Sequence, residues 1–403
     1  MAALRDRLPT PIVGKYYLYR ATVSFGFFAP VFTLFLLYRD LAYTEIALLS
    51  TQHAVLTVLG EVPTGYLGDR IGRRNSLLVS TAAMTLSIAG FVVASSLPAF
   101  AVLYGLWSVA LVFRSGAGDA WLYETLREEL DDEGRFTTVR GRADAVNRVV
   151  TVVAMLAGGA LYAVRPELPF VASTVLHALG IPVLLSLPKT AAFADGGRGG
   201  TSVRATARVV RERLTVPGVR SVVAYAAVFF ALVTVVDTYV QPIARDVVGV
   251  SESLLGLLYA GFTLGTALAG YYAGALNDRL GPRRTTFAVP PVVTVVVGLA
   301  AVYPLFALPA FLIHKGANVV LRSVVAGFLN DRTGDIGRAT VLSAASMVYA
   351  VVRLPLILAI GVVADAYGPL LAVGTVAAVC LLGFGAIAVG RFAVTDSRTA
   401  ATA

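Results

Sequence analysis

Several ionisable side chains lie inside long apolar stretches of the sequence. The carboxylates are Glu61, Asp119 and Asp237, and Arg114 lies five residues before Asp119. An isolated charge in an apolar environment is costly, so such groups pair with an opposite charge or exchange protons and ions. These four residues are the candidates for proton-linked chemistry. On a continuous helix Arg114 and Asp119 would point about 140° apart, so we do not expect them to face one pocket, and packing is the alternative role of Asp119.

A second polar group lies in one apolar stretch near the end of the sequence. Lys315, Asn318 and Arg322 follow the i, i+3, i+7 spacing of one helical face, and His314 precedes them. A cationic face of this kind suits an anionic group of a small molecule, and an ion pair between Lys315 and Asp237 is the alternative. The other candidates for contact with a small molecule are Gln241, Trp107 and Phe28, of which the aromatic residues have helix packing as their alternative role.

The composition indicates the environment that must hold these residues. Of the 403 residues, 57% are apolar and 14% charged, and the mean hydropathy is +0.77. Soluble domains are about 45–50% apolar and about 25% charged, so a soluble enzyme and a disordered chain are excluded. Twelve continuous apolar stretches are long enough for membrane-spanning helices, which need about 20 residues. They run roughly over 16–38, 43–68, 75–96, 99–123, 141–164, 167–187, 218–243, 251–276, 284–304, 307–330, 339–364 and 367–390.

The basic residues are distributed unevenly between the two sides of these spans. Of the 33 Lys and Arg residues, 24 lie on the side of both termini, three on the opposite side and six within spans. The positive-inside rule therefore predicts that both termini are cytoplasmic. The net charge of +9 reflects this topology, so we expect no nucleic-acid partner. The long first span, with further spans behind it, predicts no cleavable signal peptide.

The residues that usually hold metals or cofactors are few. The chain has one cysteine, Cys380, and three scattered histidines, so we expect neither a disulfide nor a metal centre. The glycine-rich tract at 196–200 lacks the Gly-Lys-Ser/Thr of a phosphate-binding loop. The sequence thus predicts no cofactor and no direct use of ATP.

The sequence contains an internal repeat with an offset of about 209 residues. Two like-oriented halves of six spans each are therefore predicted, 1–187 and 218–403. The connector at 188–217 carries an amphipathic pattern that predicts a helix on the cytoplasmic leaflet, with a solvated basic linker as the alternative. The repeated segments are Gly65–Arg74 with Gly274–Arg284, Leu97–Phe100 with Leu308–Phe311, and Arg114-Ser115 with Arg322-Ser323.

This organisation resembles the major facilitator superfamily, and the loop at Gly65–Arg74 looks like that family's signature Gly-x-Leu-x-Asp-Arg-x-Gly-Arg-Lys/Arg. Asp69 can pair with Arg73 or lie at a helix N-terminus, and Gly72 permits a tight turn. The resemblance implies an all-α membrane fold of twelve helices in two pseudo-symmetric bundles. It also implies a gating role for the loop and its repeat. The gating candidates are Gly65, Asp69, Arg70, Gly72, Arg73, Arg74, Gly274, Asp278, Arg279 and Gly281.

Two other segments bear on the branch of the family. The segment Arg114–Ala120 resembles the Arg-x-x-Gln-Gly-x-Gly-Ala motif of proton-coupled members, with Ala117 where glutamine is usual. The resemblance links Arg114 to proton coupling. The fifth span contains Ala157–Ala160 without the proline of the drug-antiporter signature, which argues against drug–proton antiport. Ser115–Glu124 and Glu61–Gly65 resemble a poorly characterised branch of the family.

The depth of the charges predicts their partners. Glu61 and Arg114 lie roughly 12 and 15 Å above the cytoplasmic ends of their spans, at about 1.5 Å per residue. We therefore predict a Glu61–Arg114 pair, with Arg353 as the competing partner of Glu61 and a purely structural ion pair as the alternative role. Asp144 and Arg148 have the i, i+4 spacing of a local ion pair. The charge of Arg20 is expected to snorkel to the interface.

The resemblance predicts a secondary transporter of the cell membrane, with spans one, four, seven and ten around a central cavity and two halves that rock. We expect a monomer in the lipid bilayer that moves a small organic molecule, and proton-coupled export is the leading hypothesis. The alternative is uptake of an organic anion by symport or facilitated diffusion. A membrane enzyme would need a nucleophilic or metal constellation, and a sensor would need an exposed signalling domain. The sequence offers neither.

Overall fold

The computed structural model describes residues 10–130, 133–189, 217–332 and 338–400, and the regular structure in these ranges is helical. Several helices have a proline at their first or second position, where its fixed φ and missing N–H suit the first turn, as at Pro11, Pro98 and Pro169. The helices are α1 (Pro11–Thr22), α2 (Phe32–Tyr38), α3 (Tyr43–Ile71), α4 (Arg73–Val93), α5 (Leu97–Arg114), α6 (Ala117–Glu128), α7 (Phe136–Val164), α8 (Leu168–Leu185), α9 (Pro217–Pro242), α10 (Glu252–Leu299), α11 (Ala307–Arg332), α12 (Arg338–Tyr367) and α13 (Pro369–Ala400).

These helices account for the twelve predicted spans. Within the described ranges, nine helical segments are long and apolar enough to cross a membrane. One of them, α10, holds two spans, because Gly281 (φ 77°) interrupts its helical path. The remaining two spans are α3 and the pair α1–α2. The prediction of a twelve-helix, all-α membrane fold is confirmed, whereas the helix predicted in the connector falls on residues outside the described ranges.

The first of two structural units has an aromatic core. It comprises the described residues of Met1–Leu41, Gln52–Gly199 and Ser251–Ala260. Phe28 and Phe170 stack with ring centroids 5.1 Å apart, and Tyr16 stacks on Trp121 at 5.5 Å. Because burial of large apolar rings is strongly favourable, the stacking of Phe28 on Phe170 stabilises the position of span one in this unit.

The second unit is organised around α9. It comprises the described residues of Ala42–Thr51, Gly200–Val250 and Gly261–Ala403. Helix α9 packs against α12, α13 and α11, and most of its side chains are buried. After Pro242 the backbone widens into a π-helical turn at Ile243–Val247. Because proline has no N–H, one backbone hydrogen bond of the α-helix is missing at this point. Helix α9 is thus almost fully buried among the other helices of the second unit.

Spans one and four are broken, and the sequence does not predict either break. Residues 23–28 separate α1 from the 3₁₀ turn Ala29–Val31, and Ser115 and Gly116 separate α5 from α6. The Ser24 hydroxyl accepts from the N–H of Gly26 (3.1 Å) and bonds with the hydroxyl of Thr151 on α7 (2.9 Å). Gly116 has φ 74°, a left-handed conformation that favours glycine. The breaks therefore rest on local polar contacts and one glycine.

The two consecutive glycines of α7 allow close contact with the rest of the first unit. A Cβ atom on Gly158 would overlap the backbone carbonyl group of Phe27, within the break of span one. A Cβ atom on Gly159 would lie 2.7 Å from the carbonyl oxygen of Ser253. Small residues let helix backbones approach closely inside a membrane. Gly158 and Gly159, which lie in the segment that lacks the proline of the drug-antiporter signature, thus have a packing role.

We predict that Gly158→Ala destabilises the protein, because the added methyl group must displace backbone rather than a flexible side chain. Overpacking of this kind costs about 1–3 kcal/mol. The matched control is Gly141→Ala on the same helix, where a Cβ atom meets no atom within 4 Å. Thermal unfolding in detergent, followed by size-exclusion chromatography, should show a lower melting temperature for Gly158→Ala only. Equal melting temperatures for the two variants would contradict the close contact.

Candidate functional site

A polar cavity lies inside the first unit, at the two helix breaks. Its volume is about 510 Å³, and its walls come from α1, the break of span one, the junction of α5 with α6, and α7. A volume of this size falls within the usual range of small-molecule sites, about 300–1,000 Å³. The charged residues of its lining are Arg20, Arg114, Arg140, Asp119 and Asp144.

Two ion pairs balance most of the charge in this cavity. Arg20 on α1 donates to Asp144 on α7 at 2.6 Å, and Arg140 lies 2.8 Å from Asp119. Both carboxylates are about half exposed (45% and 49%). Within the described part of the chain, Arg114 has no carboxylate partner, and its guanidinium carbon lies 5.6 Å from the ring centroid of Phe25. One cation in the cavity is therefore left without a counter-charge.

Two expectations from local sequence spacing are wrong. Asp144 pairs with Arg20 on another helix instead of with Arg148 four residues away. Arg114 and Asp119 both line one cavity. The angle calculated for a continuous helix does not apply to them, because the left-handed Gly116 lies between them.

The structure does not bring Glu61 and Arg114 together, so the predicted pair is wrong. Glu61 is exposed and lines a separate cavity of about 250 Å³, together with Arg73 and Ser115. Across the described residues, no ion pair joins Glu61 to Arg114. Equal depth was not a sufficient criterion, because Arg114 ends α5 and lies over Phe25 of span one.

The second unit contains an ionic cluster between α9 and α11. Lys315 forms an ion pair with Asp237, and the Nε2 atom of His314 lies 3.4 Å from the same carboxylate oxygen. His314 is fully buried, and its Nδ1 lies 2.8 Å from the carbonyl oxygen of Phe311. If Nδ1 donates there, Nε2 bears a proton only when the ring is charged. The ion pair with Asp237 shows that Lys315 has the alternative role considered for it, a structural pairing.

A second arginine without a counter-charge lies further along α11. The Nε atom of Arg322 donates to Asn318 Oδ1 (3.1 Å), and its guanidinium carbon lies 4.8 Å from the ring centroid of Phe230. Arg353 on α12 is close enough to repel it, and the buried Nε atom of Arg353 has no hydrogen-bond partner. Among the described carboxylates, none pairs with Arg322 or Arg353. This cluster is thus cationic.

An arginine that lies over a phenylalanine ring and has no carboxylate partner in the described structure occurs at equivalent places in the two halves. Arg114 and Arg322 are equivalent positions of the internal repeat, on spans four and ten. Phe25 and Phe230 belong to spans one and seven, which are also equivalent. A guanidinium over an aromatic face is held by cation–π attraction while its N–H groups stay available. Both halves therefore present an arginine whose donors can receive an anion.

The remaining candidates for contact with a small molecule lie outside the lining of the cavity in the first unit. Phe28 is 2% exposed and lies in the aromatic core, and Gln241 is 4% exposed. Trp107 stacks on Phe25, with ring centroids 5.5 Å apart, and so supports a residue of the cavity wall from behind. Sequence reasoning did not single out Asn147 or Arg140, which line the cavity, because neither stands out within its amphipathic helix.

The candidate gating loop forms a tight turn in both copies. Gly72 (φ 84°) and Gly281 (φ 77°) occupy equivalent positions of the repeat. Arg73 lies 3.4 Å from Glu124 on α6, and Arg74 donates to the carbonyl oxygen of Leu187 (2.9 Å). The Asp69 side chain lies outside the described part of the structure. The other candidates of the two loops are Gly65, Arg70, Gly274, Asp278 and Arg279, of which Arg70, Asp278 and Arg279 are exposed.

Asp365 is a further residue that sequence reasoning missed. Its carboxylate accepts from the backbone N–H of Tyr43 (2.7 Å) and of Thr44 (2.9 Å), at the first turn of α3. A carboxylate at this place satisfies unpaired donors and complements the helix dipole. The partner is 321 residues away in sequence, so no local pattern could indicate it.

Twelve membrane crossings in two repeated halves, with cationic clusters inside each half, define a multi-pass membrane transporter. The chain belongs to the Major Facilitator Superfamily, which it matches over residues 20–313. It is 24% identical over 247 residues to the uncharacterized MFS-type transporter YxaM of Bacillus subtilis (strain 168), and this match spans 60% of each protein.

Solved structures show the same fold. A mutant of the nucleoside transporter NupG superposes with a TM-score of 0.76 at 11% identity, covering 94% of this chain and 98% of that one. The D-xylose-proton symporter gives a TM-score of 0.61 at 14% identity, covering 93% of this chain and 95% of that one. At these identities the likeness concerns the fold alone.

Proposed function

We propose that the protein carries a small organic anion across the cell membrane by alternating access. The observation that supports this most directly is the recurrence, in both halves, of an arginine that lies over a phenylalanine ring without a carboxylate partner in the described structure. A charge at the centre of a spanning helix costs about 2.5–3.5 kcal/mol. An anionic cargo would supply the missing counter-charge.

The chemistry of the guanidinium group favours a carboxylate or a similar planar anion. Its donors form a rigid fork that matches two oxygen atoms, which gives both affinity and orientation. The cavity's own carboxylates, Asp119 and Asp144, are already engaged by Arg140 and Arg20. A cationic cargo would have to displace these pairs, whereas an anion finds Arg114 available.

The charge of the cargo also bears on direction and coupling. An inside-negative potential of 100 mV opposes entry of a monoanion by about 2.3 kcal/mol. Export of an anion needs no proton, whereas uptake together with a proton is electroneutral. The cluster of Asp237, Lys315 and His314 is the best candidate to take up that proton, because protonation of the carboxylate would release Lys315. We therefore favour symport of the anion with a proton over the export hypothesis.

We further propose that both termini face the cytoplasm. The support is the uneven distribution of basic residues, with 24 on that side and three on the other. Because Cys380 is the one cysteine of the chain, a background with Cys380→Ser is suitable for labelling single introduced cysteines. In intact cells a membrane-impermeant maleimide should label Arg165→Cys and should leave Lys189→Cys unlabelled until the cells are opened. The reverse pattern would show the opposite orientation.

We predict that the two unpaired arginines are required for transport. In liposomes, Arg114→Gln and Arg322→Gln should each slow uptake of a transported anion at least tenfold, a loss of about 1.4 kcal/mol of interaction. Their melting temperatures should not fall, because each substitution removes an uncompensated charge. The control is Arg127→Gln, which removes an exposed arginine paired with the neighbouring Glu128.

The assay starts from a panel of radiolabelled carboxylates, sugars, nucleosides and amines of similar size. Transport of carboxylates by the wild type, with unchanged transport by Arg127→Gln, is the expected result. If the protein moves neutral or cationic compounds only, or if Arg114→Gln transports anions at the rate of the wild type, the proposed cargo class is wrong.

Proton coupling is predicted to depend on Asp237. An outside-acidic gradient should accelerate anion uptake by the wild type. Asp237→Asn should abolish this response while it retains exchange of internal for external anion, which needs no net proton movement. The double variant Asp237→Asn/Lys315→Met should recover thermal stability lost by Asp237→Asn, because it also removes the cation that pairs with Asp237 in the wild type. A full response to the gradient in Asp237→Asn would exclude this cluster as the proton site.

A further inference from the structure

The break in span four leaves backbone donors without partners beside the cavity. The N–H of Ser115 is the last to bond back into α5, to the carbonyl oxygen of Leu111 (3.0 Å). The N–H of Ala120 is the first to bond within the next helix, to Gly116 (3.0 Å). The four N–H groups of residues 116–119 therefore have no acceptor among the described residues, as expected for the first turn of a helix.

Two glycines keep this turn open to the cavity. Gly116 and Gly118 both belong to the cavity wall, and a Cβ atom on either would meet no atom within 4 Å. A methyl group at either position would therefore extend into space that is empty of protein. Gly118 has ordinary helical geometry, so the absence of a side chain at this position is not required by the backbone.

Arg114 is the independent sign that this turn receives a ligand. It is the last residue of α5, it is mostly buried, and it lines the same cavity as the two glycines. Its side chain has no carboxylate partner within the described structure, and the Phe25 ring lies beneath it. A largely buried guanidinium and a row of free N–H groups, both at one cavity, have the same requirement for a negative charge.

We propose that the break in span four is the subsite that binds the carboxylate group of the cargo. The N–H groups of the first turn of α6, at Gly116–Gly118, donate to the carboxylate, and the Arg114 guanidinium donates alongside them. The rest of the molecule lies in the 510 Å³ cavity, against Ser24 and Asn147. The ligand class is a small organic carboxylate, and this subsite rests on the proposed function for its role in transport.

The subsite can be tested by binding alone, without transport. Trp107 and Trp121 are the two tryptophans of the chain. Trp107 stacks on Phe25 of the cavity wall (5.5 Å), and Trp121 lies three residues after Gly118 on α6. Intrinsic fluorescence of the purified protein therefore reports on this region. The probes are acetate, butyrate and succinate at constant ionic strength, with butyramide as the uncharged counterpart of butyrate.

We expect a saturable fluorescence change with at least one of the carboxylates and none with butyramide. Gly118→Ala should weaken this binding at least tenfold, because Gly118 lines the cavity and its added methyl group would occupy open space beside the donors. The helix itself should be more stable, since alanine is the better helix former. The control Gly141→Ala adds the same methyl group in open space on α7, at a position that does not belong to the cavity wall, and should bind as the wild type does.

The possible outcomes separate the subsite from the proposed function. Equal carboxylate affinity in Gly118→Ala and the wild type overturns the subsite, even if liposomes show anion transport. Absence of a saturable response to all three carboxylates also overturns it. Weakened binding in Gly118→Ala supports the subsite, and it does so even if the panel in liposomes shows a neutral cargo and thereby refutes the proposed function.

Discussion

The cost of placing a formal charge in a hydrocarbon environment is the constraint on which the rest of the structure depends. Carboxylates that lie beside cations within the two units form ion pairs, as Asp144 does with Arg20 and Asp237 with Lys315. After these pairs are formed, Arg114 and Arg322 remain without a counter-charge among the described residues. In the proposed function, the anionic cargo supplies the counter-charge for these two arginines.

The internal duplication explains why such an arginine occurs in each half. Spans one and four of the first half contribute Phe25 and Arg114, and the equivalent spans of the second contribute Phe230 and Arg322. The duplicated loop glycines likewise share a positive φ. The halves differ in the polar groups that they contain. The first half has broken helices around a cavity, whereas the second has the ionic cluster of Asp237, Lys315 and His314.

The architecture was largely predictable from the sequence, but the site was predictable only in part. Hydropathy, the charge distribution and the repeat led to twelve spans, and the glycine of the signature loop predicted the tight turn at Gly72. The spacing rules failed at Arg114, Asp119 and Asp144. They assume a continuous helix and a nearby partner, whereas the break in span one depends on the contact of Ser24 with Thr151, and the break in span four on the left-handed conformation of Gly116.

The most direct test of the central claim is to locate a bound anion. A structure of the protein with 3-bromopropionate, determined with anomalous X-ray scattering from bromine, would reveal the position of the ligand without reference to transport. We predict an anomalous peak in the cavity of the first unit, with the carboxylate in hydrogen-bond contact with Arg114. A ligand bound away from both Arg114 and Arg322, with the two guanidinium groups still unoccupied, would contradict the role of these arginines.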